Sequence, residues 1–189
     1  MNNISLLDIV DDTTVDGPGF RTAIYASGCP HACRGCHNPQ SWQKNNGTPT
    51  PVGYILDRIK KAEFANVTFT GGDPLMQPEA FTELARRIKQ ETTKTIWCYT
   101  GYQYEQLIRF PRFLELLRHI DVLVDGRYME ALRSEELKFR GSANQRMIDV
   151  PFSLRCGKVV LWGEEQHTAS DITRISLPMG QPAYNQKAD

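Results

Sequence analysis

The sequence predicts an α/β fold in which a parallel sheet carries helices on its outer side. Strand, loop and helix candidates follow one another four times over about a hundred residues, and this alternation is typical of parallel sheets with crossover helices. The strand candidate at 95–99 is apolar on both faces, as expected inside such a sheet. Several strand candidates end in short loops containing glycine, where α/β folds place their chemistry.

The first two strand candidates flank a helix. Arg21–Ser27 follows the turn-forming cluster Asp16–Gly19 and leads directly into a loop of cysteines. Further on, Thr50-Pro51 offers an N-cap and a proline at the first helical position. Apolar residues then recur at helical spacing over 52–62, which predicts the first helix. Val67–Thr70 is the second strand candidate.

The same pattern continues through the next fifty or so residues. A helix over 79–91 has apolar residues at i, i+3, i+4 and i+7, and the third strand at 95–99 follows it. Residues 103–119 are predicted to be helical with an interruption at Pro111, because proline lacks an N–H and disfavours helix in the residue before it. The fourth strand is predicted over 122–124.

After Arg127 the periodic pattern weakens. We expect a helix over 128–137, an irregular or strand-like segment over 139–151, and a late strand at the sheet edge over 158–162. The length fits one domain, which we place at residues 1–162. The polar residues 163–189 are expected to form a flexible C-terminal tail.

Composition excludes several classes of protein. Lys and Arg number 22, as do Asp and Glu, so nothing indicates a general affinity for nucleic acid or for an anionic membrane. No run of about 18 apolar residues predicts a transmembrane helix, and the N-terminus lacks the pattern of a signal peptide. The five cysteines are odd in number and three are clustered, which favours a reducing compartment over a disulfide framework. We expect a cytoplasmic protein.

The three clustered cysteines are the strongest chemical signal. Cys29, Cys33 and Cys36 have the spacing C-x3-C-x2-C, one thiolate short of a closed tetrahedral zinc site. An iron–sulfur cube normally takes four thiolates, so three would leave one iron open for a substrate. The alternatives are a zinc site completed by His31 or His37, or three cysteines without a shared metal.

The remaining two cysteines carry no comparable signal. Cys98 lies in an apolar strand candidate, where a free cysteine commonly serves as a small buried hydrophobic residue. Cys156 is isolated in the sequence, and a second cluster would need more cysteines than remain. We therefore expect an unpaired thiol at Cys156.

Two strand ends outside the cysteine loop are candidates for ligand contact. Gly71, Gly72 and Asp73 follow the second strand, where glycines let a backbone approach a ligand closely, although the motif alone is equally typical of a turn. Asp125 and Arg127 follow the fourth strand on the same side of the sheet, where a surface ion pair is the alternative.

These residues resemble those of a known family. The spacing C-x3-C-x2-C is similar to the cluster-binding signature of the radical S-adenosylmethionine enzymes, and its flanks resemble the branch that activates glycyl radical enzymes. Gly35 stands where many radical S-adenosylmethionine proteins carry an aromatic residue, which narrows the resemblance to part of that branch. The resemblance covers roughly residues 8–148. The matching segments are Val15–Gly19 with Arg21, Ser27–Cys29, Cys36–Asn38 with Trp42, Gly71–Leu75, Thr100–Tyr102, Asp121–Gly126 and Arg140–Gln145.

The resemblance implies a partial (βα) barrel rather than a doubly wound sheet. A full barrel of eight units typically needs about 200 residues or more, and an incomplete one would leave room for a macromolecular substrate. It also implies a 4Fe-4S cluster with three cysteine ligands and S-adenosylmethionine at the open fourth iron. The contacts that it implies with this cofactor are the segment Gly35, Cys36 and His37 at the adenine, Gly71, Gly72 and Asp73 at the methionine ammonium, and Asp125 and Arg127 at the methionine or ribose.

The activity implied by the resemblance is the making of a protein radical. An electron from the cluster would cleave S-adenosylmethionine, and the 5′-deoxyadenosyl radical would take a hydrogen from a glycine of a large glycyl radical enzyme. The first choice of partner is an anaerobic ribonucleotide reductase, with pyruvate formate-lyase as the alternative. The electron would come from a low-potential donor such as flavodoxin. A non-catalytic iron–sulfur or zinc binding module is the alternative from another class. Arg140–Gln145 would serve docking or barrel closure, or be a structural loop.

Overall fold

A computed structural model describes residues 2–163 and contains one mixed sheet of seven strands. The strand order across the sheet is β3-β1-β2-β4-β5-β6-β7. The strands are β1 (Asn3–Thr13), β2 (Arg21–Ala26), β3 (Thr48–Pro51), β4 (Asn66–Gly71), β5 (Ile96–Tyr99), β6 (Val122–Asp125) and β7 (Arg146–Asp149). The tail expected over 163–189 lies outside the described residues, except for Gly163.

The parallel sheet predicted from the sequence forms the centre of this larger sheet. Strands β2, β4, β5 and β6 pair in parallel, so all four predicted strands are confirmed in their type and direction. An all-parallel sheet was nevertheless wrong, because β1 pairs antiparallel with both β2 and β3, and β7 pairs antiparallel with β6. Both β1 and β3 lie in segments for which no strand was predicted.

Four helices lie in the connections between the parallel strands, and a fifth follows β7. They are α1 (Val52–Lys61), α2 (Pro78–Glu91), α3 (Tyr104–Leu107), α4 (Pro111–Leu117) and, after β7, α5 (Val150–Cys156). The predicted break at Pro111 is confirmed, since this proline begins α4 after α3 has ended at Leu107. Proline suits the first turn of a helix, where its missing N–H has no intrahelical partner.

Several local predictions were wrong. Thr50 and Pro51 pair with β1 as the end of β3, and Thr50 does not cap α1. The helix expected over 128–137 is reduced to the 3₁₀ turn Glu130–Leu132. In place of a late strand over 158–162, Leu161 forms one isolated bridge with Ile148.

The two faces of the parallel strands carry different side chains, since successive residues of a strand point to opposite faces. One face packs under the helices, where Phe69 meets Phe81 of α2 at 4.9 Å between ring centroids. The other face carries Trp97, Val122 and Val124 as a smaller apolar cluster. Helices thus cover one face, and loops are left to cover the other near the strand ends.

Arg21 is buried on the second face. Its Nε donates to Thr68 Oγ1 at 2.6 Å, another guanidinium nitrogen donates to the carbonyl of Val67 at 2.6 Å, and the group lies over the Trp97 ring. Burial lowers the pKa of Arg21 to about 10, because a charged group loses solvation inside the protein. The match of Arg21 with the family motif therefore reflects a packing role at the amino ends of the strands.

Within residues 2–163, none of the helices has both the length and the apolar character needed to cross a membrane.

The packing of α2 on the sheet gives a first prediction. Replacing Phe81, which is fully buried, with Ala should lower the free energy of unfolding by about 3–5 kcal/mol, because a cavity is left against Phe69. The matched control is Phe64→Ala, since Phe64 is 84% exposed and its loss should cost no more than about 0.5 kcal/mol. Equilibrium unfolding in urea measures both variants, and equal losses would contradict this packing.

Candidate functional site

The carboxyl ends of β2, β4, β5 and β6 meet around a cavity of about 580 Å³. Cys29, Cys33 and Cys36 line this cavity together with the glycines that follow β4. The sequence therefore predicted correctly that the cysteine loop and the glycine loop adjoin. Their meeting follows from the sheet, because parallel neighbours end at the same edge.

The cysteine loop is held at its base by backbone hydrogen bonds. The N–H groups of Gly28 and Cys29 donate to the carbonyls of Ser41 and Trp42, at 2.7 and 3.0 Å. Within the loop, the Cys36 N–H donates to the Cys33 carbonyl at 3.1 Å. The thiols are free and half-buried, so they face the cavity without being sealed from solvent. Such a loop can present three sulfurs to one group inside the cavity.

The donor set of this loop fits an iron–sulfur cluster. The Asn38 N–H lies 3.4 Å from Cys36 Sγ, and N–H groups aimed at ligand sulfurs tune the potential of such clusters. Burial raises the pKa of the Cys29 thiol, so this sulfur favours the protonated form until a metal holds its thiolate. Within residues 2–163, no three His, Cys, Asp or Glu side chains converge as a site for a single metal ion.

His31 does not support the zinc alternative. Its Nε2 lies 2.7 Å from Asp73 Oδ2, and its Nδ1 accepts a hydrogen bond from Arg127 Nε at 3.3 Å. Both ring nitrogens are therefore engaged by protein groups. His37, the other candidate for a zinc ligand, lies against the Tyr128 ring with centroids 4.9 Å apart.

The glycine loop after β4 is bound tightly to the cysteine loop. The Gly72 N–H donates to the Ala26 carbonyl at 2.7 Å, and the Asp73 N–H donates to the Gly28 carbonyl at 2.8 Å. A Cβ at Gly72 would lie 2.5 Å from the Gly28 carbonyl oxygen. Gly71 has φ +94°, and a Cβ there would lie 2.7 Å from the backbone of β2. Both glycines are thus required by the approach of two backbones, before any ligand is considered.

Asp73 is buried, and other protein groups occupy its carboxylate. Oδ1 accepts the Leu75 N–H at 3.0 Å. Oδ2 accepts the Thr100 hydroxyl at 2.9 Å and the Gly101 N–H at 3.1 Å, in addition to His31. The sequence identified the residue and its neighbourhood. In the structure this carboxylate links three loops, those that follow β2, β4 and β5.

The end of β6 and the residues that follow it border a second cavity, of about 530 Å³. Asp125 is buried there and accepts the Tyr104 N–H at 2.9 Å and Arg146 Nε at 3.0 Å. Hydrogen bonds to two carboxylates, first that of Glu105 and then that of Asp125, raise the pKa of Arg146. Arg127 is exposed and reaches the first cavity through His31 alone. Asp125 and Arg127 therefore lie beside the cysteine loop, but they border the second cavity, whereas the cysteines line the first.

The segment from Tyr128 to Gln145 covers the first cavity on its remaining side. Gly35, at φ +70°, lies against Glu130, and a Cβ there would be 2.9 Å from the Glu130 carboxyl group. Gln145 accepts the Gly141 N–H at 2.8 Å and donates to the Gly126 carbonyl at 2.9 Å. The motif over 140–145 thus forms part of the wall of the cavity, as expected for the structural-loop alternative.

Sequence reasoning missed two tyrosines on the inner face of the sheet. Tyr25 and Tyr99 line the cavity near the ends of β2 and β5. The Tyr25 hydroxyl donates to Asp16 at 3.0 Å, and burial raises the pKa of Tyr25 to about 12. The Tyr99 hydroxyl donates to the Phe139 carbonyl at 2.8 Å. Their position near the carboxyl ends of two predicted parallel strands could have identified them as residues of the site.

Comparison with known proteins agrees with this site. Residues 15–148 match a family described as a 4Fe-4S single cluster domain. Three relatives each carry the name anaerobic ribonucleoside-triphosphate reductase-activating protein. That of Enterobacteria phage T4 is 37% identical over 139 residues, which are 70% of this chain and 86% of the relative. That of Pasteurella multocida is 38% identical over 140 residues (69% and 88%), and that of Escherichia coli 35% over 142 (69% and 89%).

The family match spans the cysteine loop and all four parallel strands, and the relatives are covered over most of their length. The resemblance drawn from the motifs is thereby confirmed. The chain belongs to the family of anaerobic ribonucleoside-triphosphate reductase-activating proteins, with a domain of the 4Fe-4S single cluster type.

Proposed function

We propose that this chain activates an anaerobic ribonucleoside-triphosphate reductase by forming a glycyl radical on it, with S-adenosylmethionine as the source of the radical. One observation carries the proposal. The three cysteines of the C-x3-C-x2-C motif line a cavity at the carboxyl ends of four parallel strands, in a chain whose relatives are named as activators of that reductase.

Cys29, Cys33 and Cys36 are the proposed ligands of the cluster, and the fourth iron is left to S-adenosylmethionine. When bound, the cluster, reduced by an external donor, and S-adenosylmethionine would supply a one-electron cleavage that releases methionine, and the 5′-deoxyadenosyl group would then take a hydrogen atom from a glycine Cα. The protein's task is then to hold loop and cofactor in one geometry and keep water away, because cofactors do the difficult chemistry and the protein orients them. The free, half-buried thiols and the Asn38 N–H beside Cys36 support this assignment.

The polar contacts to S-adenosylmethionine are proposed for the loops around the cavity. The segment Gly35, Cys36 and His37 would face the adenine, and the backbone of Gly71 and Gly72 would face the methionine ammonium. Asp73 and Asp125 would act indirectly, because neighbouring donors already occupy their carboxylates. Arg127, with its exposed guanidinium, is the proposed charged contact after β6.

The sheet is proposed to curve as a partial barrel around this cavity. Helices cover the face formed by Phe69 and its neighbours, whereas Tyr25 and Tyr99 on the opposite face line the cavity. An incomplete barrel leaves a side through which a glycine-bearing loop of a large partner could enter. The entering loop would then complete the exclusion of water from the reacting atoms.

The setting follows from the same chemistry. We propose a low-potential electron donor such as a flavodoxin, and a cytoplasmic location. All five cysteines are free, as suits a reducing compartment. The proposed catalytic domain is residues 1–162, and the described elements end within it.

The cluster assignment predicts a clear division among the cysteines. After anaerobic reconstitution the chain should hold about one four-iron cluster. Cys29→Ala, Cys33→Ala and Cys36→Ala should each abolish it, because the loop supplies no spare thiol. Iron and sulfide analysis, with the visible spectrum, measures the effect.

Cys98→Ala and Cys156→Ser are the matched controls for the loop variants. Cys98 is buried under the helices, and burial raises the pKa of its thiol well above the usual value, while Cys156 ends α5. Both variants should keep a full cluster. Full iron content in Cys33→Ala would contradict the assignment.

The activity is tested with the partner itself. Mixed anaerobically with reductant, S-adenosylmethionine and the anaerobic reductase, this protein should produce a persistent organic radical on the reductase. Electron paramagnetic resonance should show a doublet from the one remaining α-hydrogen. A glycyl radical is favourable because it is delocalised over two peptide groups.

Two further measurements complete this test. Substituting Ala for the glycine of the reductase should remove the doublet while 5′-deoxyadenosine still forms. A radical on pyruvate formate-lyase, with none on the reductase, would replace the proposed partner. Formation of 5′-deoxyadenosine without a radical on either enzyme would reject the activating function.

A further inference from the structure

The side chain of His31 is more buried than the residues on either side of it in the cysteine loop. Pro30 and Ala32 on either side are exposed, as are Arg34 and Gly35 further along. The His31 side chain is 6% exposed, because it turns away from solvent into the wall between the two cavities. Binding of a metal group through three thiols does not by itself account for the burial of this imidazole.

The ring of His31 contacts all three neighbouring strand ends. Nε2 meets Asp73, which follows β4, at 2.7 Å. The Gly101 backbone, after β5, packs so closely that a Cβ there would lie 2.3 Å from the ring, and Tyr102 meets the ring edge-on at 4.6 Å. Arg127, after β6, donates to Nδ1 at 3.3 Å.

One assignment of donor and acceptor to the two ring nitrogens of His31 satisfies these contacts together. Asp73 Oδ2 also receives the Thr100 hydroxyl and the Gly101 N–H, so the carboxylate acts as an acceptor toward the ring. Nε2 therefore carries the proton, and Nδ1 is left free to accept from Arg127 Nε. Because each ring nitrogen has a hydrogen-bond partner, the ring forms a specific link between loops and is not buried only for its apolar surface.

We propose that His31 is a positioning residue that fastens the cysteine loop to the ends of β4, β5 and β6. The inference rests on the proposed function, since it sets the cluster on that loop against a cofactor held at those strand ends. It also gives the segment Thr100-Gly101-Tyr102 a role. Gly101 is required there because the ring of His31 occupies the space of a side chain.

The test separates the hydrogen bond from the bulk of the ring. His31→Phe keeps a ring and removes both polar contacts, whereas His31→Gln keeps an N–H that can donate to Asp73. In His31→Phe the loop still has its three thiols, so iron content should stay near that of the parent. The binding of S-adenosylmethionine, followed by the change it causes in the resonance of the reduced cluster, should weaken by about 10–100-fold, and His31→Gln should recover most of it.

A second variant tests the same contact by changing the residue after β5 that packs on the ring of His31. Gly101→Ala leaves every residue of the cysteine loop intact but places a methyl group inside the ring of His31. It should raise amide hydrogen exchange over 29–36 in the cluster-free chain, as His31→Phe does. In a His31→Ala background the space is vacated, so Gly101→Ala should add little. His119→Gln, a histidine substitution remote from the loop, is the control for both measurements.

The outcomes distinguish this inference from the proposed function. A response to S-adenosylmethionine in His31→Phe equal to that of the parent would overturn the role of His31, as would equal damage in His31→Gln. Additive effects of Gly101→Ala and His31→Ala on exchange would also overturn it. If the parent protein itself shows no response to S-adenosylmethionine, the proposed function fails. The exchange measurements would still test whether His31 fastens the cysteine loop to the strand ends.

Discussion

The hydrogen bonding of Asp73 is the constraint on which the geometry of the cavity depends. Its carboxylate is 1% exposed and accepts from the Leu75 N–H, the Thr100 hydroxyl, the Gly101 N–H and His31. A buried carboxylate is stable only where donors replace its lost hydration. The loops that follow β2, β4 and β5 must therefore come together before Asp73 can be buried, and their meeting defines the floor of the cavity.

The sheet makes that meeting possible by bringing backbones unusually close. Gly71 and Gly72 have no Cβ, so the chain after β4 can cross the end of β2 at hydrogen-bonding distance. On the far side, Gln145 ties the segment before β7 to Gly126. The cavity is consequently built from main-chain contacts and a few buried polar side chains, and the three cysteines lie on a loop that is fastened at several points.

Much of this fold could be predicted because its signals are local. The four parallel strands and the helices between them follow from the spacing of apolar residues, and the three cysteines of the motif lie within eight positions of one another. Strand β1 escaped prediction because its acidic second half, with Asp8 and Asp11, is poorly suited to a strand until β2 and β3 pair with it. The contacts of Asp73 were equally hidden, since His31 and Thr100 are 42 and 27 residues away in sequence.

The two aspartates of the motifs show why a resemblance locates a site better than it assigns roles. Asp73 and Asp125 both stand where the family places cofactor contacts, yet each carboxylate is engaged by protein donors, Asp125 by Arg146 and the start of α3. Asp73 lines the cavity of the cysteines and Asp125 lines the second cavity, although the carboxylate of each is already hydrogen-bonded to protein groups. Through these hydrogen bonds both aspartates stabilise the walls of the cavities, a role that their position in the motif did not distinguish from contact with a ligand.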